Sequence, residues 1–321
     1  MSANESKLLV IALGGNAISK PGESPDIPSQ FKTTAETAKS LADLMEAGHR
    51  IVITHGNGPQ VGKVLRRVEL SVPTVYPLPL EICVADTQGG MGYMIAQCLG
   101  NELHRRGLPG RVTAVVTTIC VDRHDPAFDR PTKPIGSFYD KQAADELQRN
   151  DGWTMTEVLI GQHRRVVPSP APIEIMEKEA IKKLVAGGEI VITCGGGGVP
   201  VVRNDDGQYE GVAAVIDKDL ASALLAREIA ADGMIILTSI GKVCLNFEKP
   251  NQTELDRLTL DEARRHLAAG QFPPGSMGPK IESAVQFLEN SQNPDAFVLI
   301  ATPEHLREAL DGKTGTRITR A

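Results

Sequence analysis

Apolar residues run without interruption from Leu8 to Leu13, and the chain then breaks at once into Gly14-Gly15-Asn16. A short apolar run of this kind, bounded by glycine, predicts a strand buried on both faces, as in the middle of a parallel sheet. Similar runs recur at Arg50–Thr54, Arg111–Thr117, Glu189–Cys194, Met234–Ser239 and Ala296–Ala301. Between them apolar residues fall at helical spacing over Thr33–Ala47, Gln60–Leu70, Gly92–Arg105, Ile173–Ala186, Asp219–Ala230, Thr259–Ala268 and Pro279–Glu289. Glycine closes several of these stretches (Gly48, Gly107, Gly187, Gly233), the residue favoured just past a helix's last turn. Strands alternating with helices along the whole length predict a largely parallel sheet with helices on both faces.

The rhythm breaks once. Asp122–Gly161 is polar and proline-rich at first, then charged. It reads as an excursion projecting from the sheet over a site. Two halves rich in strand–helix units meet near Gly187-Gly188, and 321 residues suit two lobes better than one core.

Composition narrows the partners. A net charge of −6 argues against nucleic acid or an anionic membrane surface. No apolar run approaches the length of a membrane span, and Met1–Lys7 lacks the apolar core of a signal peptide. The five cysteines are odd in number and scattered, with no metal-binding spacing, which points to buried thiols in a cytoplasmic enzyme.

Candidate chemistry gathers where strands end. Gly14-Gly15 follows the first strand, Gly56-Asn57-Gly58 the second, and four consecutive glycines, Gly195–Gly198, the Glu189–Cys194 run. In open α/β sheets ligands bind at the carboxyl ends of the strands, where bare backbone N–H groups cradle anions. On the first turn alone, a tight connection explains the glycines equally well; three such turns in one sheet favour an anion-binding edge. The spacing at Gly56 misses the dinucleotide fingerprint by one residue, and Gly312-Lys313-Thr314 lacks the upstream glycine of a Walker loop.

Lysines supply the charge. Lys218 lies between Asp217 and Asp219 at a predicted helix start, Lys280 opens another helix after Met277, and Lys133 sits in the excursion between prolines. An aspartate there is by default a helix cap, and either one fits that role. A lysine in a helix's first turn opposes the dipole, which hints at another purpose. No catalytic triad, metalloprotease helix or glycosidase-like carboxylate pair is present. Backbone N–H loops with lysines match phosphoryl transfer, which asks mainly for positioning and positive charge.

The motifs LGGNA, HGNGPQVG, TQGGMGY, PTKPIG, RRVVPSP, CGGGGVPVV, VIDKDLAS and PGSMGPKIESA, in this order over residues 8–290, resemble those of carbamate kinase, a branch of the amino acid kinase superfamily. The resemblance implies a three-layer αβα sandwich with a largely parallel open sheet and a small projecting subdomain at about 122–163. It implies a homodimer, with residues 1–188 as the carbamate lobe and 189–321 as the nucleotide lobe. The implied reaction is ATP + carbamate ⇌ ADP + carbamoyl phosphate, with Mg²⁺ accompanying the nucleotide and no metal-ligating residue singled out. In such kinases it often runs toward ATP in arginine catabolism.

Carried over by position, Gly14, Gly15, Asn16, Gly56, Asn57 and Gly58 would hold carbamate and the moving phosphoryl group. Gly195, Gly196, Asp217, Lys218, Met277 and Lys280 would meet the nucleotide. Lys133, Lys218, Asp219 and Lys280 would be catalytic, with Asp219 orienting lysines and Lys133 descending from the projecting subdomain. Two positions depart from the family, His163 where tryptophan is usual and Gly241 where aspartate is usual, and Ala12 stands where many relatives in the wider superfamily carry lysine. Two other readings remain open on sequence alone. One is an amino acid kinase-fold enzyme acting on another small carboxylate such as N-acetylglutamate, and the other is a non-catalytic sensor of carbamoyl phosphate or nucleotide.

Overall fold

The computed structural model describes residues 6–321 other than 21, 23, 25 and 274. β1 (Leu8–Leu13) passes through a single turn of 3₁₀ helix into α1 (Ile27–Glu46), followed by β2 (Arg50–His55), α2 (Gln60–Ser71) and α3 (Leu80–Arg106). Next come β3 (Val112–Ala114), β4 (Thr118–Val121), β5 (Lys133–Tyr139), α4 (Lys141–Asp151), β6 (Met155–Leu159), β7 (Gln162–Val167) and β8 (Pro172–Ile175). The second half opens with α5 (Lys178–Ala186), β9 (Ile190–Ile192), β10 (Val199–Arg203), β11 (Tyr209–Gly211), α6 (Lys218–Glu228) and β12 (Gly233–Leu237). It closes with β13 (Val243–Leu245), β14 (Thr253–Leu255), β15 (Arg257–Thr259), α7 (Leu260–Ala268), α8 (Met277–Asn290), β16 (Phe297–Ala301), α9 (Leu306–Leu310) and β17 (Thr316–Thr319).

The main sheet has eight strands in the order β15-β17-β16-β12-β1-β2-β9-β3. Every pairing in it is parallel except β16 with β17. All six residues of β1 are buried, as an uninterrupted apolar run requires of a central strand. Alternation along β1 divides the core in two. Leu8, Val10 and Ala12 join the cluster containing Leu225, Ile281 and Phe287 from α6 and α8, while Leu9, Ile11 and Leu13 join Leu41, Ile95 and Leu99 from α1 and α3. Each buried Leu or Ile contributes roughly 1.5–3 kcal/mol over an exposed one. These two apolar layers make the three-layer αβα sandwich.

Residues 1–188 supply β1–β3 and residues 189–321 supply the other strands, with β9 lying between β2 and β3. One continuous sheet thus serves both halves. A four-stranded sheet, β11-β10-β4-β8, packs near α6. The projecting excursion is a separate three-stranded antiparallel sheet, β5-β7-β6, with α4 beside it. Its regular elements run over residues 133–167, and Gly136 rests on α2, where a Cβ on Gly62 would meet Gly136 Cα at 3.1 Å.

Three predicted helices differ, the first because the one expected from Thr33 starts at Ile27, where Asp26 caps it by accepting from Ser29 N. The helix expected at Gly92 starts at Leu80, since tertiary packing carries it through Gly89-Gly90 despite their helix cost of about 1 kcal/mol each. Ile173–Ala186 proves to be two elements: Pro172–Ile175 alternates as strand β8, antiparallel to β4, and only then does α5 begin.

Candidate active site

Three loops leave neighbouring strands at the same edge of the main sheet. After β1, Gly14 N donates to Leu237 O of β12 at 3.0 Å, and a Cβ on Gly14 would lie 2.5 Å from that oxygen. Only glycine permits that approach. After β2, Asn57 Nδ2 donates to Gly196 O at 3.0 Å, tying the second loop to the third. After β9 the backbone takes positive φ at four of five residues, +49° at Cys194, +66° at Gly196, +92° at Gly197 and +87° at Gly198. Gly197→Ala would drive a Cβ to 2.2 Å from Ile216 O. We expect it to lower stability by about 2–4 kcal/mol, read as a lower urea midpoint at unchanged slope.

Between these loops and the projecting sheet opens a cleft of about 640 Å³. Gly15, Gly56, Asn57, Gly58, Lys133, Gly196, Asp217, Lys218, Asp219 and Lys280 line it together, as do Gly275 and residues 134–138 of β5. Gly14, Asn16, Gly195 and Met277 do not line it. Gly195 packs behind, where its Cβ would lie 2.5 Å from His55 Nε2, and Met277 is buried at the start of α8. His163 and Gly241 also stay outside the lining.

The structure separates the two aspartates. Asp217 is the cap of α6, its Oδ1 accepting from Asp219 N at 2.9 Å. Its other oxygen accepts from Lys133 Nζ at 2.7 Å, so a lysine of the projecting sheet spans the cleft to reach it. Asp219 is buried and accepts from both Lys218 Nζ and Lys280 Nζ, the latter at 3.1 Å. Burial opposes ionisation of Asp219, but the two ammonium groups and their hydrogen bonds hold its carboxyl down at about 2. Burial also pushes the Lys218 ammonium below its ordinary range, against the pull of Asp219. The Lys218 stem lies over Gly56, where a Cβ would meet Lys218 Cδ at 3.1 Å. Ser222, hydrogen-bonded to Thr54 at 2.6 Å and to Lys218 O, anchors this turn on β2.

Six cations line the cleft (Lys63, Arg66, Lys133, Arg164, Lys218, Lys280) against two carboxylates, Asp217 and Asp219. The local field is therefore strongly positive within a chain of net charge −6. Lys63, Arg66 and Arg164 were not singled out from sequence. Arg164 stands inside the RRVVPSP motif, but only the folded sheet turns it toward the cleft. Among the described residues no group of three or more His, Cys, Asp or Glu could hold a metal ion.

His55 ends β2 fully buried, and burial lowers its pKa to about 4. A histidine whose folded pKa lies below its unfolded value near 6.5 supports the fold above that value and loses the contribution as the pH falls toward 4. The loss should approach about 3 kcal/mol across pH 6.5 to 4. Unfolding curves of the wild type and His55→Gln over this window check it, the variant showing a flatter profile.

The sequence pattern of the amino acid kinase family matches residues 7–299. The chain is 49% identical to the carbamate kinase-like protein YahI of Escherichia coli (strain K12), over 98% of this chain and 99% of that protein. It is 45% identical to the carbamate kinase of Clostridium perfringens (strain 13 / Type A), over 97% and 99% respectively. Among solved structures, carbamate kinase from Giardia lamblia bound to AMP-PNP superimposes with a TM-score of 0.91 at 38% identity, covering 98% of this chain and 99% of that one.

Proposed function

The chain belongs to the amino acid kinase family and, within it, to the carbamate kinases; from that premise we propose that the cleft runs ATP + carbamate ⇌ ADP + carbamoyl phosphate. The observation that carries this reading is Asp219 buried between Lys218 and Lys280, directly below a cleft floored by glycine loops.

Carbamate is already an anionic oxygen nucleophile, so the protein needs no general base. The difficulty is to hold two mutually repelling anions in line. Backbone N–H groups around Gly15 and Gly56–Gly58 receive the transferring group on the carbamate side. Lys218 and Lys280, oriented by Asp219, neutralise the phosphates from the nucleotide side, where Gly196, Gly275 and Asp217 lie. Gly14 and Gly195 serve from behind by shaping their loops, and Asn16 and Met277 by placing the first loop and α8. Lys133 approaches from the projecting sheet, giving charge where it develops in the transition state.

A Mg²⁺ carried in by the nucleotide commonly keeps waters and takes only one or two protein carboxylates beside phosphates. Asp217, the more exposed of the two cleft carboxylates, is the group that would face it, and its chemistry would be to neutralise phosphate oxygens, while Asp219 stays with Lys218 and Lys280. The Giardia enzyme's complex with AMP-PNP supports an adenine nucleotide as a substrate here; we assign it to the residue 189–321 side, and carbamate to residues 1–188 and the projecting sheet. A cytoplasmic homodimer completes the reading, in keeping with five cysteines that are all free and buried.

Purified protein supplied with carbamoyl phosphate and ADP should form ATP, followed through a coupled enzyme. No ATP above a heat-killed control would refute the reading. Acetate and N-acetylglutamate, offered with ATP, should give no comparable turnover.

A further inference from the structure

Three of the cleft lysines pair with its carboxylates, Lys133 with Asp217 and both Lys218 and Lys280 with Asp219. Arg164 has no such partner among the described residues. It lies on β7 and, like Lys133, lines the cleft. One terminal nitrogen donates to Gly136 O at 3.0 Å, and the guanidinium carbon stands 5.1 Å from the centre of the Phe138 ring. Its Nε is buried without any hydrogen-bond partner. Burial lowers the pKa of the group, and no neighbouring charge offsets it.

An unpaired buried donor on a charged side chain destabilises the fold, and replacement by an apolar side chain of similar length would remove that cost. Stacking on Phe138 and the bond to Gly136 hold the guanidinium in place but leave its charge unanswered. The position adds a second clue. Gly136 rests on Gly62 of α2, the helix that begins two residues after Gly58, so Arg164 hangs over the carbamate side of the cleft.

The two halves of the substrate differ in shape. A guanidinium fork matches a planar carboxylate-type group and phosphate oxygens alike, so it is the place of Arg164, over the carbamate side, that selects the planar end. We propose that Arg164 binds the planar carbamoyl end of the substrate from the projecting sheet, leaving the three lysines to the phosphoryl group. This rests on the assignment of carbamate as acceptor. It also answers the absence of a cation at Ala12 in the first loop: the small anion draws its charge from above rather than from the floor.

The test compares wild type, Arg164→Met and Arg164→Lys by steady-state kinetics with carbamoyl phosphate, by calorimetric titration with ADP and by thermal unfolding. Wild-type turnover is measured first, and its absence would bring down the functional assignment itself, separately from the role of Arg164. With turnover present, we expect R164M to raise KM for carbamoyl phosphate about 10- to 100-fold, a charged hydrogen bond's worth, with ADP affinity within twofold of wild type. R164K, which keeps a charge but loses the fork, should stay at least fivefold above wild type in KM. A merely structural arginine would instead lower thermal stability and move ADP affinity together with KM. That parallel loss, or a KM within twofold of wild type in R164M, would overturn the proposal. Should R164M fail to fold, R164K decides alone: full recovery of KM overturns the proposal and a raised KM at unchanged ADP affinity upholds it.

Discussion

Replacing Asp219 by alanine should lower turnover on the order of a thousandfold and destabilise the protein by roughly 3–5 kcal/mol. Both effects come from the same pairings. Asp219 is buried, and it is the carboxylate that both Lys218 and Lys280 share. Without it two ammonium groups repel each other in a poorly solvated corner, and neither is aimed. Asp219→Asn separates the contributions, because it keeps the shape and an acceptor oxygen while losing the charge. It should fold, yet still lose about a hundredfold in turnover. Near-normal turnover in D219N would reduce the carboxylate to a packing role. The acid limit has a defined sign. A carboxyl held at about 2 contributes fully above its unfolded value near 3.9, and the contribution fades as the pH falls through 2.

Lys133→Ala should lower turnover by about a hundred- to a thousandfold while ADP affinity changes less than threefold. Lys133 comes from β5 of the projecting sheet, above the floor loops, whereas α6 and α8 bring Lys218 and Lys280 from the opposite side of the cleft. Its ion pair with Asp217 is part-exposed, so its loss should cost the fold no more than about 1 kcal/mol. Calorimetric ADP titration beside single-turnover kinetics makes the comparison; equal losses in both would refute a role confined to the carbamoyl phosphate side.

The central sheet was legible because β1, β2, β9, β12 and β16 are buried on both faces and so read as short apolar runs. Edge and satellite strands were not. β6, β7 and β11 leave most residues partly or wholly exposed, and a polar strand has no periodicity that separates it from a loop. The same blindness explains the cleft. Lysines beside glycine turns announce themselves, and Lys133, Lys218 and Lys280 do converge. Arg164 could not be read that way, since its place depends on how three polar strands pair and then fold down over α2. Nor could sequence decide which aspartate caps α6. Both Asp217 and Asp219 satisfy the capping rule; the family resemblance set Asp219 with the lysines, and the hydrogen bond from Asp219 N to Asp217 is what makes Asp217 the cap.

The β5-β7-β6 sheet shares no backbone ladder with the eight-stranded sheet. A residue inserted or exchanged in it cannot slip the register of β1, β2 or β9, on which the glycine loops depend. Arg164, proposed to meet the acceptor, is thereby carried on a part whose edits leave the backbone of the glycine loops in place. A lineage could alter contacts to the small molecule from this appendage, around a retained Lys133, with the apolar core and the Lys218–Asp219–Lys280 cluster untouched.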